Sequence, residues 1–414
     1  MNILLQKAHI VDGSGESKPQ DILVRNGRID TIAGHIDVEK NMKVWSSAHL
    51  CVSPGWFDVG VQTGDPGFEH REDLRTVAAA ARKGGFTAIA PFPNTQPPVH
   101  SKSEILYIRN NTAGLGVHFY PVGAISQDCA GKDLAELYDM HAAGAAAFSD
   151  GKKAVQDASL LLRAMQYARA FNGLILNEPH HKTIAAGGQM HEGTVSTSLG
   201  LKGLPSLAEE IMVQRDLSLL EYSEGRLHIH LVSTAKSVDM IRAAKKAGLQ
   251  VTCSVAVANL FFTDAELRDF DSNWKLLPPL RAQSDADALL EGLADGTIDF
   301  IVSNHNPWDE EAKNLEFPYA DFGMIGLETV FALCRTFGAK KLSLPLLVEK
   351  MSLAPRRIFG LPVPEIKAGE NAELTVFDPT ESYTFTTENI GSKSRNTPFL
   401  GRTLQGKVLG TIVG

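Results

Sequence analysis

The chain has 414 residues, a formal charge of −8, and 43% hydrophobic against 21% charged residues. A length beyond the size at which single cores stop growing predicts one large domain with a smaller one. The acidic balance argues against nucleic acid as a partner. Cys51, Cys129, Cys253 and Cys334 lie far apart with no CxxC pair, which fits a reducing cytoplasm better than a disulfide framework or a structural zinc. The start NILLQKAHIVDGSG has no basic residues at its head, no full apolar region and no small-residue cleavage site, and no stretch reaches about 18 apolar residues. A cytoplasmic protein without a membrane span is expected.

Residues 1–53 carry alternating runs, ILLQKAHIV and DILVRNGRIDTIA, the second split by Asn26-Gly27, which predicts a type I′ hairpin. After Pro54 the pattern changes to strand-length apolar runs alternating with helical spacings that end in glycine. Eight such units can be counted, from WFDVGV with REDLRTVAAAARKGG to DFIVSN with LETVFALCRTFG. That is the count of a (β/α)8 TIM barrel. A doubly wound open sheet is the alternative, although its GxGxxG signal after a strand is absent. The stretch LPLLVEKMSLAPRRIFGLP predicts a helix pair broken at a proline, and AELTVFDP, SYTFTT and GRTLQGKVLGTIVG read as short strands. Two β segments too short for cores of their own pair most simply into one composite β-sandwich domain, residues 1–53 with 360–414, beside a barrel over 54–359.

The stretch PGWFDVGVQTGDPG, Pro54 to Gly67, supplies the first barrel strand and its end. It resembles the first strand of the amidohydrolase superfamily, most closely dihydroorotase, which reads PG, two apolar residues, D, x, H, x, H, L, R, x, P, G. Further landmarks follow in order: PFPNTQPP from Pro91, AFSDG from Ala147, EGTVSTSLGLKGLPSLAEE from Glu192, HIHLVSTAKSV from His228, LLPPLR from Leu276, FGMIGLET from Phe322 and KSRNTPFLG from Lys393. The resemblance implies the barrel, the composite β domain and hydrolysis of a cyclic amide at metal-bearing strand ends. A divalent cation there lowers the pKa of bound water to about 7. A base then takes the proton and returns it to the leaving nitrogen.

The side chains depart from that pattern where the chemistry lies. Gly60 and Gln62 stand at the two histidine positions of strand one, and Asn177, followed by Glu178, at the histidine of strand five. Asn304, in VSNHNPW, stands at the aspartate that ligates metal and shuttles the proton, so no catalytic residue is intact. Glycine has no ligating side chain, and an amide is a poor substitute for imidazole or carboxylate. Asp150 and His230 remain as remnant metal positions, fewer than the three protein ligands of a usual catalytic zinc site. In the substrate pocket Asn94 is retained, while Gly64 replaces an arginine that grips a carboxylate, Leu277 an asparagine and Trp308 a histidine. Phe322 and Gly323 are further substrate-site candidates, and Arg281 reads equally as a structural residue. Asp58 reads as a hydrogen-bonded barrel carboxyl, His305 as a neighbour of the site that points elsewhere, and Cys253 as a buried strand cysteine. A rebuilt metal site would draw on Asp58, Asp150, His228, His230 and His305.

These substitutions touch ligands, base and substrate clamp while sparing turns and core. The expected reading is a dihydroorotase homologue of pyrimidine biosynthesis that is inactive or severely impaired, needs no cofactor and acts as a scaffolding subunit. Some dihydroorotase-like chains without the metal motif associate with aspartate carbamoyltransferase. The resemblance therefore implies that enzyme as first partner, in a homo- or hetero-oligomer, with neither nucleic acid nor membrane involved. The alternative is an active zinc-dependent dihydroorotase, or a related cyclic amide hydrolase, with a reduced or rearranged site. A third reading is a small-molecule sensor whose pocket, through Trp308, Leu277 and Gln62, has become more apolar and less suited to anions.

Overall fold

The structure is a computed structural model that describes residues 2–414. Alternation places Ile3 and Leu5 of strand Asn2–Asp12, and Ile22 and Val24 of strand Gln20–Arg25, on one buried face. Asn26 (φ +49°) and Gly27 (φ +77°) turn the chain into Arg28–Ala33, the left-handed pair that a type I′ hairpin needs. Strand Asn2–Asp12 serves two halves of the sheet. Its first residues pair antiparallel with Gln20–Arg25, and His9 and Ile10 run parallel to Cys51 and Val52. A bulge at Lys7 (φ +52°) makes the bend, and Asp21 accepts the Lys7 N–H at 2.8 Å. The second half continues through Cys51–Pro54 and Glu373–Thr384 to Thr403–Val413, so both ends of the chain share one eight-stranded sheet. Val52, Leu374, Val376 and Ile412 close its small core from the other half.

The barrel strands are Trp56–Val61, Phe86–Pro91, a third in two pieces (His118–Phe119 and Val122–Gly123), Ala147–Phe148, Ile175–Asn177, Leu227–Ile229, Val251–Ala256 and Phe300–Val302. Their pairings are parallel. Parallel strands covered on both faces need apolar runs, and WFDVGV and FTAIAP are buried throughout. Pro121 lacks the N–H that an unbroken third strand would donate. Helices follow the strands, from Leu74–Lys83 to Val330–Gly338; Asp73 caps the first by accepting the Arg75 and Thr76 N–H groups at 2.9 Å. Phe57, Val59, Ala88, Ala90, Leu176 and Phe300 fill the barrel interior, apart from the apolar layer between strands and helices.

Strands one and eight close the barrel through the Asp58 side chain, which accepts both the N–H and the hydroxyl of Ser303, and through the Gln62 N–H, which donates to the His305 carbonyl at 3.0 Å. The helical run 344–358 departs from the expected break and continues past Pro355. Glu349–Leu353 widen into a π turn, with the Ala354 N–H bonded to the Glu349 carbonyl, so the bond that proline cannot make is not missed. Ser352, inside that turn, donates its hydroxyl to the Gly55 carbonyl at 2.8 Å. Among the described residues no helix is long and apolar enough to cross a membrane.

Candidate functional site at the barrel mouth

The first strand delivers Gly60, Gln62 and Gly64 to the mouth. Gly60 has φ +85°, and a Cβ there would lie 2.5 Å from His230 Nε2. Gly64 has φ +67°, and a Cβ would meet the Glu72 carbonyl oxygen at 2.4 Å. On this backbone neither position admits a side chain. Gln62 is 9% exposed and donates loosely to Asn94 Oδ1 at 3.4 Å. Asp58, fully buried below them, spends both oxygens on Ser303; burial pushes its carboxyl up to about 6, against the pull of those bonds.

Strands four to six show the same diversion of polar groups into the scaffold. Asp150 accepts the N–H and the hydroxyl of Ser126, and burial raises its carboxyl above the usual range. Asn177 accepts the Val155 N–H at 3.1 Å and donates to Asp216 at 2.7 Å; Arg215 holds Asp216 in turn at 2.6 Å. His228 stacks on Phe300 at 4.7 Å and bonds Thr252 and Ser254 at 2.9 and 3.0 Å. Burial drives its imidazole down to about 3. His230 pairs through Nδ1 with Ser254 at 3.0 Å, but its Nε2 is buried without a partner. Burial, with Lys152 and His228 nearby, holds this imidazole well below its ordinary value.

Two residues past strand eight, Asn304 sits at φ +52°. Its amide donates to the Leu277 carbonyl at 3.1 Å, and its oxygen accepts from Lys152 at 2.7 Å. His305 accepts the Gly326 N–H at Nδ1, which leaves the proton on Nε2, 3.5 Å from Glu72 and away from the mouth.

Lys152 is the residue that sequence reasoning missed. Its ammonium reaches Asn304 on one side and Glu178, at 3.3 Å, on the other. Burial raises the Glu178 carboxyl, and Lys152 works against that rise. The available signal was the lysine pair directly after AFSDG, at the end of strand four. Spacing alone does not tell which way a loop lysine turns.

Above this cluster lies a cavity of about 480 Å³ lined by Gln62, Phe68, Arg71, Asn94, Lys152 and Trp308 among others. Arg71 lies 3.8 Å over the Trp308 ring and 4.8 Å over Phe68. Of the three residues expected to make the pocket more apolar, Gln62 and Trp308 stand in the lining. Leu277 is outside it and packs on the Ala185, Leu204 and Ala208 cluster, while Arg71, Lys152, Lys153 and Asp128 put charges of both signs in the lining. Phe322 and Gly323 spend their carbonyls on Trp308, Asn306, Lys313 and Asn396. Arg281 is buried on Ser233, the Leu204 carbonyl and Glu209. The Cys253 thiol is fully buried and pushed far above the thiolate range.

A family model described as Dihydro-orotase-like matches residues 50–237. A dihydroorotase of Pelotomaculum thermopropionicum is 42% identical over 100% of this chain and 97% of its own length. One from Acetivibrio thermocellus is 40% identical over 99% and 97%. This chain belongs to the dihydroorotase-like family. The L-hydantoinase (dihydropyrimidinase) of Arthrobacter aurescens superposes with TM-score 0.86 at 25% identity, covering 99% of this chain and 94% of that one. A D-hydantoinase from Thermus sp., 18% identical, shares the fold with TM-score 0.81 over 99% and 94%. The fold is thus the amidohydrolase barrel with its β-sandwich domain.

In this dihydroorotase-like barrel the donors do not fit a divalent cation. Of the positions named from the sequence, His230 and His305 each keep a buried imidazole nitrogen without a hydrogen-bond partner, that of His305 facing Glu72 at 3.5 Å, and among the described residues no three His, Cys, Asp or Glu side chains converge. A catalytic zinc site is normally built from three protein ligands.

Proposed function

We propose that this dihydroorotase-like chain has kept the barrel and given up hydrolysis, and serves pyrimidine biosynthesis as a scaffolding subunit, with aspartate carbamoyltransferase as its partner. The observation that carries the reading is the dispersal of the donors: Asp150 is spent on Ser126, Asn177 on Val155 and Asp216, and Asn304 on Leu277 and Lys152. At the end of strand eight an amide stands where a proton acceptor is needed, and amides do not accept protons near neutral pH. Full-length similarity to relatives named dihydroorotase supports the pathway.

Those same names favour a second reading, a working hydrolase with a rearranged zinc site. Elemental analysis of the purified protein and an assay of dihydroorotate hydrolysis with added zinc separate the two. The scaffold reading expects far less than one zinc per chain and no turnover above background. Stoichiometric zinc with turnover that a chelator abolishes would overturn it.

A further inference from the structure

Three strand ends that would share a divalent cation in a hydrolytic site here share an ammonium. Lys152 follows strand four; its Nζ lies 2.7 Å from Asn304 Oδ1 on strand eight and 3.3 Å from the Glu178 carboxylate beyond strand five. Glu178 is 4% exposed, and among the described residues it makes no other ion pair.

The backbone aims this lysine. Gly151, at φ +60°, brings the loop so close to Asn94 that a Cβ would lie 2.0 Å from its Oδ1. That oxygen accepts the Lys152 N–H at 2.8 Å, while Asn94 Nδ2 donates to the Asp150 carbonyl at 2.9 Å. Asn94, retained from the family pattern, therefore works here as a clip on the lysine loop.

We propose, building on the non-hydrolytic reading, that Lys152 is a built-in cation that neutralises Glu178, ties strand ends four, five and eight together, and keeps divalent ions out of the mouth. A buried carboxylate stripped of its counter-charge is strongly destabilising, because water does not reach it to replace the lost partner. A fixed positive charge repels an incoming cation most where the surroundings are least polarisable. His230 Nε2 gives such an ion one donor, short of a site.

The test is a set of thermal melts on the full-length protein, in zinc chloride and in chelator, for the wild type, Lys152→Met, Lys152→Arg, Glu178→Gln and the Lys152→Met/Glu178→Gln pair. The wild type is expected to melt at one temperature in both media. Lys152→Met lowers Tm by several degrees, on the order of 5 °C. Lys152→Arg keeps most of the stability, and adding Glu178→Gln to Lys152→Met recovers roughly half of the loss, the coupling expected of one charge pair. If Lys152→Met does not fold, a double variant that folds supports the pair, and one that fails while Glu178→Gln alone folds overturns it. A neutral Lys152→Met, or strictly additive effects in a metal-free protein, overturns the built-in cation alone. Stoichiometric zinc in the wild type overturns the non-hydrolytic reading beneath it.

Discussion

His228 lies in strand Leu227–Ile229 and His230 just past its end, and burial treats them alike while their partners differ. His228 is satisfied on both nitrogens, by Thr252 and Ser254, and lies flat on Phe300, so it belongs to the barrel interior. Its folded value of about 3 lies below the ordinary 6.5, so the unfolded chain takes up the proton first. The stability it supports is fully present above 6.5 and is lost as pH falls toward 3. Between 6.5 and about pH 5 this one group should remove about 2 kcal/mol. Urea unfolding at the two pH values measures it: the wild type should lose that much more than His228→Gln, and equal slopes would show that His228 does not set the acid limb. Much of the site was legible at this scale. The residue types at positions 60, 62, 64, 177 and 304 are read directly from the chain. Their partners are not. Asn177 meets Asp216 from a helix 39 residues away, and Lys152 meets Asn304 across 152, contacts that no local pattern encodes.

At the scale of elements, one guanidinium gathers several of the bonds that join sheet and barrel. Arg356, in helix Ala354–Ile358, is fully buried and donates to Glu373 at the start of strand Glu373–Thr384, to Thr87 Oγ1 on barrel strand two at 3.1 Å, and to the Gly55 carbonyl at 3.3 Å. Three segments distant in sequence thus converge on one planar fork, a geometry lysine does not reproduce. Arg356→Met should cost about 3 kcal/mol, since it leaves the largely buried Glu373 with only the Thr87 hydroxyl and the half-exposed His118 as partners. A lower urea midpoint with unchanged slope checks this; a loss below about 1 kcal/mol would return the joint to its apolar contacts. The strand–helix alternation was legible because buried parallel strands must be apolar and helices must present a stripe. The passage through Pro355 was not, because the widened turn is held by a tertiary bond from Ser352 to Gly55.

At the scale of the whole molecule, conservation of shape and dispersal of donors have to be explained together. A chain 42% identical over its full length to a dihydroorotase has the closed barrel, the shared sheet and a charged mouth cavity, while Asp150, Asn177 and Asn304 at its strand ends bond to the scaffold. On the scaffold reading proposed above, the barrel needs its stability, and internal bonds at the mouth are compatible with that. If aspartate carbamoyltransferase is the partner, co-expression of the two chains should give one peak in size exclusion at a mass above either alone. Lys152→Arg, which leaves the charge in place in the cavity lining, should leave that peak unmoved. Separate elution at micromolar concentration would remove the carbamoyltransferase from the reading. A peak lost with Lys152→Arg would instead move the contact from the outer surface to the mouth, whose cavity Lys152 lines.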